Sequence, residues 1–379
     1  MPPLTNLKRQ ANNMNTVLTN EEQVIFNLRS VYESYGYNRF KMSKFEEYDL
    51  YARNKDFLIS DSVITFNDAN GKLLALKPDV TLSIIKNSED AKGIKKVYYN
   101  ENVYRVAKGT HSFKEIMQVG LECIGDIDGY CIAEVLLLAA KSLKSISEAS
   151  VLDISHLGIV ADIIDREAIS ADVKSKLVKC IGEKNEHDII KLCEEAGIGD
   201  DCSAALCTLC NTYGAPKSVL AKLKSMSAVI NPFMLSELEA VCLALENEGL
   251  GDMLHIDFSV VSDINYYNGI AFKGFVESVP DAVLSGGQYD RLMQKMGRKS
   301  GAIGFAVYID LLQRLEVADK KYDVDTLLIY NEGCDIAKLL EAVATLGKEG
   351  SVSAQKQIPD KFTYRRLIKF DEVTEIENA

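Results

Sequence analysis

The sequence predicts an α+β fold, a mostly antiparallel sheet with helices packed against it. Three observations carry that prediction. Early in the chain, β-rich runs come in hairpin pairs, one around "NDANG" and a longer one in "VYYNENVYRVAKGTHSFKEIMQVGLECIGD" (97–126); turn residues between apolar runs are the signature of antiparallel pairing. Residues 165–250 then change to a helical pattern rich in Lys, Glu and Ala with little strand signal, which reads as an inserted helical subdomain. Strand-like runs resume at "HIDFSVVS", "YYNGIAFKGFVES" and "AVLSGGQYDRL".

In order, "LTNEEQVIFNLRSVYESY" (18–35) is an amphipathic helix capped by Thr19 or Asn20. "RFKMSKFEEYDLYAR" is a strand turning into a short helix, and "SVITFNDANGKLLAL" a hairpin. "KPDVTLSIIKNS" places Pro and Asp where a helix begins. After the long hairpin comes a helix at 129–147, and "SVLDISHLGIVADII" runs from strand into helix. A further helix is expected over "GFAVYIDLLQRLEV", followed by the charged linker "VADKKYD". The tail, 324–379, alternates strand, helix, strand, strand, a small α/β unit beside the core domain of 1–318.

With 379 residues, 47% of them hydrophobic and 26% charged, the composition is that of a soluble globular protein with a sizeable core. A net charge of −12 argues against a nucleic-acid partner. No apolar run reaches the length of a membrane span, and no signal peptide is seen. Nine scattered cysteines suit a reducing cytoplasm. Cys207 and Cys210 form a CxxC on a helical run without a second pair, which reads as small apolar residues. The four histidines, His111, His156, His187 and His255, lack metal-ligand spacing, so no metal and no cofactor are expected.

Alternate residues of a strand share a face. Gln118, Gly120 and Glu122 therefore point one way and Met117, Val119 and Leu121 the other. One face backs a core; the other offers an amide and a carboxylate, with Gly120 leaving room between them for a small ligand.

The neighbouring segments are "LKPDVT" (76–81), "YYNGIAF" (266–272), "SGGQYD" (285–290) and "GAIGFAVYIDLL" (301–312). Together with the hairpin, in this order, they resemble the core of histidyl-tRNA synthetase and its relatives over roughly residues 15–318. The resemblance implies a class II aminoacyl-tRNA synthetase-like sheet and a histidine pocket. Asp79, Thr81 and Gln118 match positions that hold the α-amino group; a carboxylate, a hydroxyl and an amide oxygen all accept from an ammonium. Glu122 and Tyr267, with Tyr266 beside them, match the positions that read the imidazole. Arg105 matches the arginine that grips the carboxylate and the α-phosphate.

The departures fall on the nucleotide. Ala107 stands at the acid that grips adenine and Ile116 at the stacking aromatic. Tyr308 stands at a glycine of the last motif, Leu311 at its ATP-binding arginine, and Ser262 at the second catalytic arginine. Adenylate formation depends on fixed positive groups, each worth on the order of 3 kcal/mol. The histidine-reading residues are kept, the nucleotide-gripping residues are replaced, and no catalytic residue is expected. The chain thus resembles the regulatory-subunit family of ATP phosphoribosyltransferase, the first enzyme of histidine biosynthesis, and "LDISHLGIVADII" with His156 is similar to a segment of that family. This implies partnership with the short-form catalytic subunit in a hetero-octamer, activation of that subunit, and feedback inhibition by L-histidine. The rivals are an active histidyl-tRNA synthetase and a synthetase-like paralogue serving another system. A homodimer core is expected because a long antiparallel edge would otherwise be exposed; Ser43 replaces the proline of the family's dimer motif, and Glu46 keeps its acid.

Overall fold

The computed structural model describes residues 18–58, 63–88, 93–106, 112–226, 228–260, 266–314, 322–370 and 377–378. The chain divides into two compact units, Met1–Leu315 and Glu316–Ala379.

The first unit opens with helix α1 (Asn20–Ser34). Thr19 caps it: its hydroxyl accepts from Glu22 N while the Glu22 carboxylate accepts from Thr19 N, a reciprocal capping box. The strands β1 (Asn38–Arg39) and β2 (Phe45–Glu47), helix α2 (Tyr48–Ala52), strands β3 (Thr65–Asn67) and β4 (Leu73–Leu76), and helix α3 (Thr81–Lys86) follow. The β3–β4 hairpin turns on Gly71, whose φ of +81° suits a residue without a side chain. The long hairpin is β5 (Lys95–Val106) and β6 (Phe113–Gly125), then come α4 (Gly129–Ile146), β7 (Ser150–His156) and α5 (Leu157–Asp165).

The insertion is helical as its composition suggests: α6 (Ala171–Gly182), α7 (Glu186–Ala196), α8 (Asp200–Cys210), the two-residue β8 (Tyr213–Gly214), α9 (Pro216–Lys224) and α10 (Pro232–Asn247). Cys207 and Cys210 are buried in apolar surroundings on α8, and burial raises both thiols, as small core residues would have it. Strands β9 (Leu254–Asp257), β10 (Ile270–Val276) and β11 (Leu284–Gln288), helix α11 (Asp290–Lys295) and strand β12 (Gly301–Tyr308) complete the unit.

Here the structure corrects the sequence reading. Residues 304–308, expected to open a helix, are the second half of strand β12, and only a 3-10 turn, Ile309–Arg314, follows. The segment has period two. Ile303, Phe305 and Val307 enter the helix-packed core, while Gly304, Ala306 and Tyr308 face the other side of the sheet. Its glycines imitate a helix motif; their work is to let neighbours approach a flat strand.

The main sheet has the order β1-β5-β6-β12-β11-β10-β7-β9-β8, antiparallel from β5 through β7. Both edges are strands of two residues. β1 pairs with only Val97 and Tyr98 of the twelve-residue β5, so most of the outer edge of β5 pairs with no strand of this sheet. One face carries the larger core, in which Val119 and Leu121 meet Leu136 and Ala140 of α4. The opposite face carries a second core, where Val97, Tyr99 and Val103 of β5 meet Leu82, Ile84 and Ile85 around α3, and Leu292 and Met293 of α11. Strands β2, β4 and β3 form a small sheet.

Lys77 ties that small sheet to the long hairpin. Its N–H donates to Lys44 O, its carbonyl accepts from Tyr104 N, and its fully buried ammonium pairs with Glu101 at 2.9 Å.

The second unit holds β13 (Val324–Ile329), helix α12 (Ile336–Leu346), β14 (Val352–Gln355), β15 (Tyr364–Lys369) and β16 (Glu377–Asn378) in a sheet of order β14-β13-β15-β16. Leu328, Leu346 and Ile368 form its core.

Candidate functional site

Register decides what faces the second layer. Opposite β12, Glu122 pairs with Gly304, Gly120 with Ala306, and Gln118 with Tyr308. Each β6 side chain on this face thus stands against glycine, alanine or the far tyrosine. A Cβ on Gly304 would collide with the Glu122 carboxylate, so the glycine is what lets that carboxylate lie across the sheet. Gly120 does something other than expected. The space above it is taken by the Tyr99 ring from β5, whose hydroxyl would stand 2.5 Å from an added Cβ. The room for a ligand lies beside Tyr99.

That room is a cavity of about 520 Å³, a size suited to a small molecule. All seven residues singled out from the sequence line it: Asp79, Thr81, Arg105, Gln118, Glu122, Tyr266 and Tyr267. They come from α3 and the residues before it, from both arms of the long hairpin, and from the segment leading into β10.

Glu122 is the centre of the polar wall. One carboxylate oxygen accepts from the Thr81 hydroxyl at 2.8 Å, and the other from the Tyr289 hydroxyl. Burial pushes its pKa up to about 8, against the lowering effect of those two donors, and the nearby Asp79 carboxylate raises it further. Asp79 is raised by its own burial, with the Leu82 N–H and Arg105 pulling the other way. Its Oδ1 accepts from Leu82 N at 2.9 Å, so it caps the first turn of α3 while lining the cavity. Two carboxyls thus share one buried space, with the Arg105 guanidinium on its wall.

Arg105 braces the site: its Nε donates to Pro78 O at 3.1 Å, fixing the segment that carries Asp79. The Gln118 amide is buried in the cavity wall, on the same strand face as Glu122. The aromatic wall is a chain of rings, with Tyr266 4.8 Å from Tyr267 and 5.9 Å from Tyr289 between centroids. Gly287 admits the Tyr267 ring, which an added Cβ there would meet at 2.8 Å. Below it, Gln288 Oε1 accepts from Ile270 N at 2.7 Å and Asp290 from Asn268 Nδ2 at 3.1 Å, so "SGGQYD" holds "YYNG" in place.

Sequence reasoning misses Tyr289 as a site residue although it lies in that motif. Its signal is sequence position: it comes two residues after Gly287, which presses against Tyr267, and one before the Asp290 brace. Lys273 and Ser285, directly opposed across β10 and β11, also line the cavity.

The three positions matched to ATP contacts among the described residues are apolar or occupied. Ile116 packs against the second core and Leu311 against the first. The Tyr308 hydroxyl is 2.8 Å from Ser285 Oγ and closes that end of the cavity. Ala107 and Ser262 lie outside the described residues, as does His111. His156 is not in the cavity. It ends β7, buried, with Nε2 2.9 Å from Glu237 of α10, as a strand-end histidine. Among the described residues no group of His, Cys, Asp or Glu is placed to hold a metal ion, and no helix is long and apolar enough to cross a membrane.

The model of the histidyl-tRNA synthetase family matches residues 15–312. The chain belongs to that family. Its curated relatives include ATP phosphoribosyltransferase regulatory subunits from Caldanaerobacter subterraneus, 29% identical over 92% of this chain and 93% of the relative. Another is from Alkaliphilus metalliredigens, 28% identical over 74% of this chain and 72% of the relative. Among solved structures, an ATP phosphoribosyltransferase regulatory subunit/histidyl-tRNA synthetase from Bacillus halodurans matches with a TM-score of 0.77 at 22% identity, covering 92% of this chain and 93% of that one. The ATP phosphoribosyl transferase (HisG:HisZ) complex from Thermotoga maritima matches with a TM-score of 0.61 at 19% identity, covering 76% and 97%. These structural likenesses establish the class II synthetase-like fold of this family member.

Proposed function

We propose that the chain is a non-catalytic regulatory subunit of ATP phosphoribosyltransferase that senses L-histidine in the synthetase-like cavity and activates a short-form catalytic subunit. The observation that carries this reading is the asymmetry of one cavity. Its inner wall offers Asp79, Thr81, Gln118 and Glu122 to an ammonium and a ring N–H. Its outer end holds Tyr308 where a nucleotide-activating family member needs a glycine, and Leu311, at the position of that member's arginine, packs against the larger core instead.

Histidine supplies the complementary groups: a cation for Asp79 and Gln118, a flat ring for the tyrosines, an imidazole N–H for Glu122, and a carboxylate for Arg105. Its binding would favour one arrangement of the complex, and inhibition of the partner would equal its differential affinity for the two arrangements. The relatives' names support the partnership, and a hetero-octamer built on a homodimer core is the assembly proposed. The dimer rests on the small β2-β4-β3 sheet, where Phe45 and Phe66 are exposed side by side, 5.7 Å between ring centroids.

The test is co-purification with the short-form catalytic subunit, assayed for phosphoribosyl transfer with and without this chain and with added histidine. Activation, reversed by histidine, is expected; no gain in transfer would sink the activator role. Histidine-dependent pyrophosphate exchange by the chain alone would favour an active synthetase instead.

A further inference from the structure

Helix α12 of the second unit is apolar on two faces. Asp335 starts it, accepting from Ala337 N and Lys338 N. One face packs Leu339, Ala342, Val343 and Leu346 on the sheet of that unit. The other carries Ile336 and Leu340, four residues apart, 71% and 64% exposed. Ala344 continues the row by another turn and Gly347 lies on the same side, both exposed. A single exposed leucine is ordinary. A second apolar row, on a helix whose first row already fills a core, needs a partner surface.

Charge indicates what the row faces. Glu332, Asp325 and Glu349 pair within the unit, with Lys356, Arg365 and Arg366. Glu341 and Lys348 flank the apolar row on one side, two turns apart, and have no ion pair among the described residues. Lys338 falls on the far side of the helix from the row. A row bordered by an acid in its middle and a base at its end is complementary to itself when reversed. In an antiparallel pair about a two-fold axis, Leu340 of each copy lies over Ala344 of the other. Glu341 of each then reaches Lys348 of the other, so the bridge is made twice. Two large side chains on one short helix cover far less than the roughly 800 Å² that each partner gives a stable interface, so the contact is reversible.

We propose that α12 pairs antiparallel with α12 of a second copy of this chain, through Ile336 and Leu340, with Glu341 and Lys348 bridging across. This contact is separate from the exposed Phe45 and Phe66 of the small sheet, and it does not rest on what the cavity binds.

Sedimentation of the full chain over a range of concentrations tests it, in the wild type and in a Phe66→Lys background that charges the small sheet. A reversible association step is expected in both, weakened at least about tenfold by Leu340→Lys. Glu341→Lys and Lys348→Glu, each self-repelling, should each weaken it by roughly threefold or more. An equimolar mixture of those two variants should associate at least as tightly as the wild type, because both bridges re-form between unlike copies. At dilutions below the step, Leu340→Lys should melt as the wild type does. No step in the Phe66→Lys background, a step indifferent to Leu340→Lys, or a mixture no tighter than its components would overturn the pairing. So would a dilute Leu340→Lys protein that melts well below the wild type, because that side chain would then be packed within its own chain.

Discussion

The two ends of the cavity are built from the same strands yet do opposite things. At the inner end, Glu122 faces Gly304, and the missing side chain leaves a buried carboxylate free to take two donors and a ligand. Towards the outer end, past Gln118 of the inner wall, β12 carries Tyr308, whose full-sized ring is hydrogen-bonded to Ser285. One pair of strands thus leaves room opposite a glycine and fills it with a full-sized ring two pairs further on.

Filling the inner end should break that contrast most severely. In Gly304→Ala the new methyl meets both the Glu122 carboxylate and the Leu121 carbonyl, backbone that cannot swing away. Overpacking of this kind costs about 1–3 kcal/mol of stability. Histidine binding should fall at least about hundredfold, since the strain adds to a displaced carboxylate. Calorimetry and thermal melts read the two effects separately; wild-type affinity would show that Glu122 is not in the ligand's path.

Removing the carboxylate is the next step. Glu122→Ala should weaken histidine by roughly 1.5–3 kcal/mol, as for the loss of a charge-assisted hydrogen bond. The measurement belongs above pH 8, where the wild-type group is ionised. Unchanged affinity would place the ligand elsewhere.

The raised pKa makes a subtler prediction. Below about pH 8 the free site holds Glu122 protonated, and a ligand that pairs with the carboxylate must expel that proton. As pH drops one unit below that value, histidine affinity should therefore fall by up to about tenfold, and Glu122→Gln should flatten the profile. Stability has its own sign. The folded chain keeps this proton to about pH 8, whereas the unfolded chain releases it near the ordinary value of 4.5. Unfolding in that window releases a proton, so the unliganded protein should lose stability as pH rises through it, and Glu122→Gln should lose less. Urea denaturation at about pH 5 and about pH 8 distinguishes these slopes.

Much of this site is legible in the sequence alone. The period-two alternation of 117–122 puts Gln118 and Glu122 on one face, and the structure keeps them there, with Val119 and Leu121 in the core behind. Asp79 is readable as a helix cap and as a site residue, and it is both a cap and a cavity wall. Volume is not legible in this way. Gly120 looks like room for a ligand because nothing along the chain says that Tyr99, from the opposing strand, fills it. Gly304 looks like part of a helix because its reason for being glycine lies across the sheet, on Glu122. Tyr289 escapes notice because its partner is 167 positions away. Periodicity reports which face a residue takes; occupancy of that face depends on neighbours that only pairing brings together.

The smallest expected effect tests the outer end. Leu311→Arg restores the charge at the position matched to the family's ATP-binding arginine, at a residue that packs against the larger core. It should not produce histidine-dependent pyrophosphate exchange. A single fixed cation is worth on the order of 3 kcal/mol in such a reaction, and Tyr308 still fills the place of a glycine beside it. Ala107 and Ser262 supply neither the acid nor the second arginine. The substitution should cost stability, because a charge replaces a half-buried leucine. Histidine affinity should stay within about twofold, since Leu311 is not in the cavity wall. Measurable exchange in this variant would mean that the outer end is one residue from activity and that its closure by Tyr308 is shallower than its packing indicates.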